Sequence, residues 1–280
     1  MSTYKFKKNE SFYIRDGWFE KAINSINEAK IKNIFSKNEG VKILGIGSNM
    51  VKGLRYWLAT SNVIHTNATT TELTEFGQLL LKHDQYLETT FSWSLIHYFL
   101  VKNKYECPIF NLIFNGGQKY FTKKDKINDL IAFFKENGVT PKIDYVEDDL
   151  NVFLKSYINE EIIDNPEDNY SCPLSTLKLI SKKKDRYEKC KPSYNTISYF
   201  VVYFILCDLY GNTAFNIEDS LDVDNSPAKV FNLDKNTYLQ YLDEMKNNGL
   251  ITINKTAGLN TVYFTKQLDI TDVFNLYFGG

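Results

Sequence analysis

The chain has 280 residues, 43% of them hydrophobic and including 20 Phe and 19 Tyr, so it can bury a sizeable core as one large domain or as two or three small ones packed together. A formal net charge of −1 gives no uniform electrostatic attraction to nucleic acid. Cys107, Cys172, Cys190 and Cys207 have neither CxxC spacing nor a His at ligand spacing, so neither a zinc site nor a disulfide framework is indicated, and they read as reduced thiols.

The charge is unevenly placed. Residues 1–60 carry 11 Lys+Arg against 5 Asp+Glu, an excess of +6 that leaves −7 for the remainder and permits a basic face on a near-neutral molecule. A second basic cluster is KLISKKKDRYEKCK, residues 178–191, and acidic stretches lie at 144–168 and in IEDSLDVD. The opening MSTYKFKKNESFYIRDGW lacks an apolar secretory signal, so a cytoplasmic protein is expected. The long apolar run YNTISYFVVYFILCDLYG has an uncharged part shorter than the ~20 residues a bilayer demands, and a buried helix is expected instead of a membrane span.

In chain order, GWFEKAINSINEAK has helical apolar spacing, and a short helix is expected over IKNIF. A helix ending at Leu44-Gly45, a tight glycine turn and a helix from Ser48 to Thr60 follow. At 100° per residue, Met50, Val51, Leu54, Trp57 and Leu58 share an inward arc of about 120°. Asn49, Lys52, Arg55 and Tyr56 fall on the opposite side, and Ser48 is placed to cap the first turn. This is the outline of a helix-turn-helix, whose second helix enters the major groove. NVIH, TNATTT and ELTEFGQLLLKH continue it as a hairpin wing and another helix.

TTFSWSLIHYFLVK is apolar nearly all round and reads as a buried helix, with His97 a core histidine. His83 and Asp84 are helical neighbours that point apart, which weighs against a catalytic dyad. Thr122 and Asp125 cap a helix that runs to Asn137 and stops at Gly138. DYVEDDLNVFLKSYI then places Val146, Leu150, Phe153, Leu154 and Tyr157 on one face, a second helix-turn-helix-like pair. Its Glu147, Asp148 and Asp149 would repel phosphates, so packing against protein is expected there, with a divalent metal as the alternative. LDKNTYLQYLDEMKNNG is a helix from Asp234 to Gly249, followed by a hairpin with Lys255 at its tip and a last helix, ITDVFNLYF. The expected fold is mainly α with small β-hairpin wings (α+β): several winged helix-turn-helix units packed around buried helices, divided as 1–88, 89–190 and 191–280.

Six blocks occur in order along nearly the whole chain: NESFYIRDGWFEKA, LGIGSNMVKGLRYWL, LTEFGQLLLKHDQYLE, SWSLIHYFLV, DNYSCPLSTLKLI, and the segment from SPAKVFNLD to TAGLNTVYF. Together they resemble the bacterial protein family of unknown function numbered 4007. The resemblance implies a component of a DNA phosphorothioation or related anti-phage defence system, with DNA and the phosphosulfate-reductase-like or ATPase proteins of the same locus as partners. One branch of that family is the nickase component of single-strand phosphorothioation, which would imply Mg²⁺ or Mn²⁺ if this chain nicks DNA. The family's first motif typically reads His-Glu-Thr-Phe, with Pro-Arg and Gly-Trp further on. Here Asn9 and Ile14 replace the His and Pro, whereas Glu10, Phe12, Arg15, Gly17 and Trp18 match. Asparagine cannot take up a proton near neutral pH as imidazole does.

Phosphodiester cleavage needs an in-line nucleophile, charge stabilisation at phosphorus and usually carboxylate-held metal. The sequence has no His-Asn-His pattern, no spaced Asp…Glu-x-Lys on a strand pair and no phosphate-cradling glycine loop. The residual catalytic candidates are Glu10, as metal ligand or base, and Arg15, as a bidentate phosphate clamp. The alternative is that these two pair with each other or cap the following helix. Binding needs less: Ser48, Asn49, Lys52, Arg55 and Tyr56, with Lys255 on the last wing, form the expected DNA-contact set. Two functions therefore stand side by side, a DNA-binding defence component with nicking activity, and a non-enzymatic regulator or adaptor for a sulfur-transfer partner, in which the wings contact DNA or protein.

Overall fold

Apolar spacing in the first sixty residues resolves into three helices, α1 (Trp18–Glu28), α2 (Glu39–Leu44) and α3 (Ser48–Thr60). The structure, a computed structural model, describes residues 3–28, 32–36, 39–159, 171–256 and 259–279. The helix expected over IKNIF does not form in its described part. There Asn33 accepts a hydrogen bond from the Phe35 amide at 2.9 Å, making a turn that buries Ile34 and Phe35 without helical pairing. Gly45, at φ +63°, makes the turn between α2 and α3. Strands β1 (Ile64–Thr66) and β2 (Thr71–Leu73) then form an antiparallel hairpin, with Thr66 opposite Thr71, and lead into α4 (Glu75–His83), whose N-cap Thr74 accepts from the Gly77 amide.

The centre of the chain is built on α5 (Thr90–Lys102), buried on ten of its thirteen residues and packed against α6 (Pro108–Asn115). Strand β3 (Tyr120–Thr122) leads into α7 (Lys123–Glu136), capped by Thr122 as its spacing to Asp125 implied, and α8 (Ile143–Tyr157) returns across it. The basic run 178–191 is a hairpin, β4 (Ile180–Lys183) and β5 (Arg186–Lys189), which joins β3 in an antiparallel sheet of order β3-β5-β4. Lys189 anchors this sheet by donating to the Ile113, Phe114 and Gly116 carbonyls at the end of α6, at 3.2, 3.2 and 2.6 Å. Burial, with Lys126 and Lys229 nearby, pulls its pKa down to about 8.

The tyrosine-rich apolar run is α9 (Tyr199–Tyr210), buried from Val201 to Cys207. After it come β6 (Phe215–Asn216), α10 (Ile217–Ser220), α11 (Pro227–Val230) and α12 (Lys235–Asn247), the last capped by Asp234. Strands β7 (Ile251–Thr256) and β8 (Leu259–Phe264) pair, β6 adds to β8, and α13 (Ile270–Phe278) closes against α4 and α9. The architecture is thus mixed and largely helical with small antiparallel sheets, and its buried apolar side chains form one continuous core. No described helix is long and apolar enough to cross a membrane.

His97 stands in that core. Its Nε2 faces the Val230 carbonyl at 2.8 Å, which can only accept, so Nε2 carries the proton and Nδ1 accepts from the Tyr157 hydroxyl at 2.6 Å. Burial lowers its pKa to about 4, and it serves as a neutral strut between α5, α8 and α11.

Candidate nucleic-acid interface

Helix α3 faces the core with Val51, Leu54, Trp57 and Leu58, all buried. Its outer surface is not open along its whole length. Tyr56, expected outward, donates its hydroxyl to the Glu106 carbonyl at 2.6 Å and lies edge-on to Trp57 at 5.0 Å, because the α5–α6 connection folds across the end of α3. Helical periodicity shows which side meets the local core, not which distant segment reaches the other, and the Tyr56 hydroxyl is engaged by the α5–α6 connection. Ser48 also departs from expectation: it is the first helical residue, the N-cap is Gly47, and no side chain caps the turn. The open part of α3 is its N-terminal half. There Ser48, Asn49 and Lys52 are exposed, and Lys52 Nζ donates to Asn49 Oδ1 at 3.0 Å.

Arg55 is half-buried and bound to the hairpin. Its Nε donates to Thr66 Oγ1 at 3.0 Å and its Nη2 to the Asn67 carbonyl at 2.6 Å. The hairpin tip is itself ordered by Asn67 Oδ1, which accepts from the Thr69 and Thr70 amides at 2.8 and 2.9 Å. Arg55 therefore locks the β1–β2 hairpin to α3. Lys255 is exposed on β7, with residues 257 and 258 of the expected wing tip lying outside the described residues.

The other flank of α3 meets the N-terminal turn. A Cβ on Gly53 would sit 2.7 Å from the Asn9 carbonyl, so only glycine lets the two backbones approach this closely. The Trp57 indole N–H donates to the Phe12 carbonyl at 2.8 Å. Within the turn, Lys7, Glu10 and Ser11 have φ of 56°, 53° and 64°, a left-handed conformation that costs a non-glycine residue about 1–3 kcal/mol. Such strain persists because the turn is pinned from α8: Asp149 accepts from the Lys7 amide at 2.9 Å and from Asn9 Nδ2 at 2.8 Å, while Asn9 Oδ1 accepts from the Ser11 amide at 2.8 Å. Asn9 and Asp149 are both buried, and burial pushes the Asp149 carboxyl up to about 6. Asp148 pairs with Lys7 at 2.7 Å, which raises the Lys7 pKa, and Glu147 pairs with Lys123 at 2.7 Å. The acidic run on α8 thus packs against protein.

Of the catalytic candidates, Glu10 lies half-buried in the strained turn, and the Arg15 guanidinium stands over the Phe12 and Trp18 rings at 5.7 and 5.5 Å. Among the described residues no three His, Cys, Asp or Glu side chains converge as a metal-binding group.

Residues 6–278 match the family described as protein of unknown function (DUF4007), and the chain belongs to that family. Comparison with curated proteins finds no match. Among solved structures, the chain is similar to a magnesium ion-bound crystal structure of SspB, with a TM-score of 0.86, and to a second SspB crystal structure, with a TM-score of 0.85. Identity is 20% in both, and each superposition covers 100% of this chain and 88% of the other. At that identity the likeness shows a shared fold.

Proposed function

We propose that this protein is a DNA-binding component of a bacterial phosphorothioation or related anti-phage defence system. In this reading α2, the glycine turn, α3 and the β1–β2 hairpin act as a winged helix-turn-helix in the segment 1–88. The segments 89–190 and 191–280 supply the buried helices and a further wing. Membership of the family and the SspB-like fold support the system. The observation that carries DNA contact is the exposed N-terminal half of α3, with Asn49 and Lys52 beside a hairpin locked in place by Arg55. Recognition helices present their N-terminal residues to base edges and phosphates, and a fixed wing reaches the adjoining backbone.

The test is a duplex titration at low salt, with unfolding followed in parallel. Asn49→Ala with Lys52→Ala is expected to weaken binding about tenfold, roughly 1.4 kcal/mol, with the melting temperature unchanged. The log–log salt slope is expected to fall by about 0.9 for each phosphate contact removed. Arg55→Ala is expected to lower both affinity and melting temperature, since it frees the hairpin. Unchanged duplex affinity in the double variant overturns the assignment of α3 and leaves the adaptor reading, with the wings as protein contacts. Nicking is tested separately by incubating supercoiled plasmid with Mg²⁺ or Mn²⁺: relaxation lost in Glu10→Ala supports a nickase, and intact plasmid supports a binding component.

A further inference from the structure

The β3-β5-β4 sheet has two unlike faces. Pairing sets Phe121 opposite Tyr187, and Tyr187 opposite Lys182, on the inner face, where Phe121 is 3% exposed and stacks on Tyr187 at 5.6 Å. The alternate residues point outward: Tyr120 opposite Glu188, itself opposite Ser181, then Thr122 opposite Arg186, itself opposite Lys183. Tyr120 is 46% exposed, a large aromatic ring with no covering segment among the described residues. Two cations flank it, with the Arg186 guanidinium 5.8 Å and Lys119 Nζ 5.2 Å from the ring centroid. Of the carboxylates along this face, Glu188 is paired with Lys119 at 3.2 Å, Asp125 accepts from the Thr122 hydroxyl at 2.7 Å, and Asp185 is exposed in the hairpin turn. Lys183 and Lys184 continue the cationic row around the hairpin turn, exposed and, among the described residues, without an ion pair.

An exposed ring bordered by cations along one line meets both requirements of a single-stranded polynucleotide: a platform for a base and charges for the adjoining phosphates. A duplex satisfies only the second, since its base faces are stacked on one another. We propose that the outer face of the β3-β5-β4 sheet binds single-stranded nucleic acid, with Tyr120 stacking on a base and Arg186, Lys183 and Lys184 contacting the flanking phosphates. This surface lies on different elements from α3 and stands or falls independently of the duplex reading.

Fluorescence anisotropy with the full chain tests it, using labelled oligothymidylate, the matching oligouridylate and a duplex. Tyr120→Ala is expected to weaken single-strand binding about fivefold or more while leaving duplex affinity within about twofold, and Tyr120→Phe, which keeps the ring, is expected to bind as the wild type does. Lys183→Ala with Lys184→Ala is expected to flatten the single-strand salt slope by about 1.4, two contacts at ~0.7 each. A preference between the two oligonucleotides identifies the strand as DNA or RNA. Single-strand affinity unchanged in Tyr120→Ala, or an equal fall with duplex, overturns the proposal. Asn49→Ala with Lys52→Ala is expected to leave single-strand binding intact, so failure of either surface is read without the other.

Discussion

Asn9→Ala probes the contact that pins the N-terminal turn to α8. The substitution removes the bond from Asn9 Nδ2 to Asp149 Oδ1 and the bond that orders the Ser11 amide, leaving the Lys7 amide as the neighbouring donor to a buried carboxylate. A hydrogen bond to a charged group is worth about 1.5–3 kcal/mol and a neutral turn bond about 1 kcal/mol, so the loss near pH 7.5 is roughly 3 kcal/mol. For a chain of this size that corresponds to a fall in melting temperature of about 6–9 °C. The effect depends on pH with a definite sign. The folded-state pKa of Asp149, about 6, lies above its ordinary value of 3.8, so its contribution to stability is greatest when it is protonated and is lost as pH rises through 6. Removing a donor that favours the carboxylate raises that pKa further, so the penalty at pH 5, where Asp149 holds its proton, is expected to be only about 1 kcal/mol. Thermal melts of both proteins at pH 5 and 7.5 measure this difference. Equal penalties at the two pH values, or a fall below about 2 °C at pH 7.5, refute the reasoning.

Gly53→Ala is expected to cost about 1–3 kcal/mol by overpacking, because its Cβ would meet the Asn9 backbone carbonyl at 2.7 Å and neither backbone is free to move. Hydrogen exchange is expected to accelerate at residues 7–12 in that variant, and unchanged exchange there would count against the docking of the turn on α3. His97→Phe strands the Tyr157 hydroxyl and Val230 carbonyl and is expected to destabilise by about 3 kcal/mol at neutral pH. Because the folded-state pKa of His97, about 4, lies below its ordinary 6.5, the wild-type contribution is present above 6.5 and lost as pH falls toward 4. Urea titrations of wild type and variant are therefore expected to converge over that window, and parallel curves would exclude a buried neutral imidazole.

Where one residue's neighbours lie nearby in sequence, the fold is legible. The spans of α3 and α13, the caps at Thr122 and Asp234, the glycine turn at Gly45 and the two hairpins all follow from local spacing. What failed depends on partners far along the chain. The run EDD is expected to pack against protein, but its three acids read alike; Asp149 alone is three residues after Val146 and four before Phe153, on the buried face of α8. That position is the signal that separates it from Glu147 and Asp148, and it could have marked the pair with Asn9, 140 residues away. Likewise, 178–191 reads as a charge cluster because lysines mask a period-two pattern. The run pairs with itself as the β4–β5 hairpin, and β3, far upstream in the chain, adds to β5 as the third strand.

Arg55 illustrates why the outward face of a helix does not equate with its readout. The sequence places Lys52 and Arg55 on the same outer side of α3, and on charge alone they are equivalent. Arginine's planar fork can engage two acceptors at once, and two acceptors, Thr66 Oγ1 and the Asn67 carbonyl, stand on the neighbouring hairpin. Lysine, a single point charge on a flexible stem, reaches only Asn49 and stays exposed. Chemistry thus divides the labour that charge counting merges: Arg55 fixes the hairpin relative to the helix, and Lys52 remains available to a phosphate. A rigid helix–hairpin pair lowers the ordering cost of any contact made across both, which is why a residue that touches no DNA in this reading is still expected to change affinity.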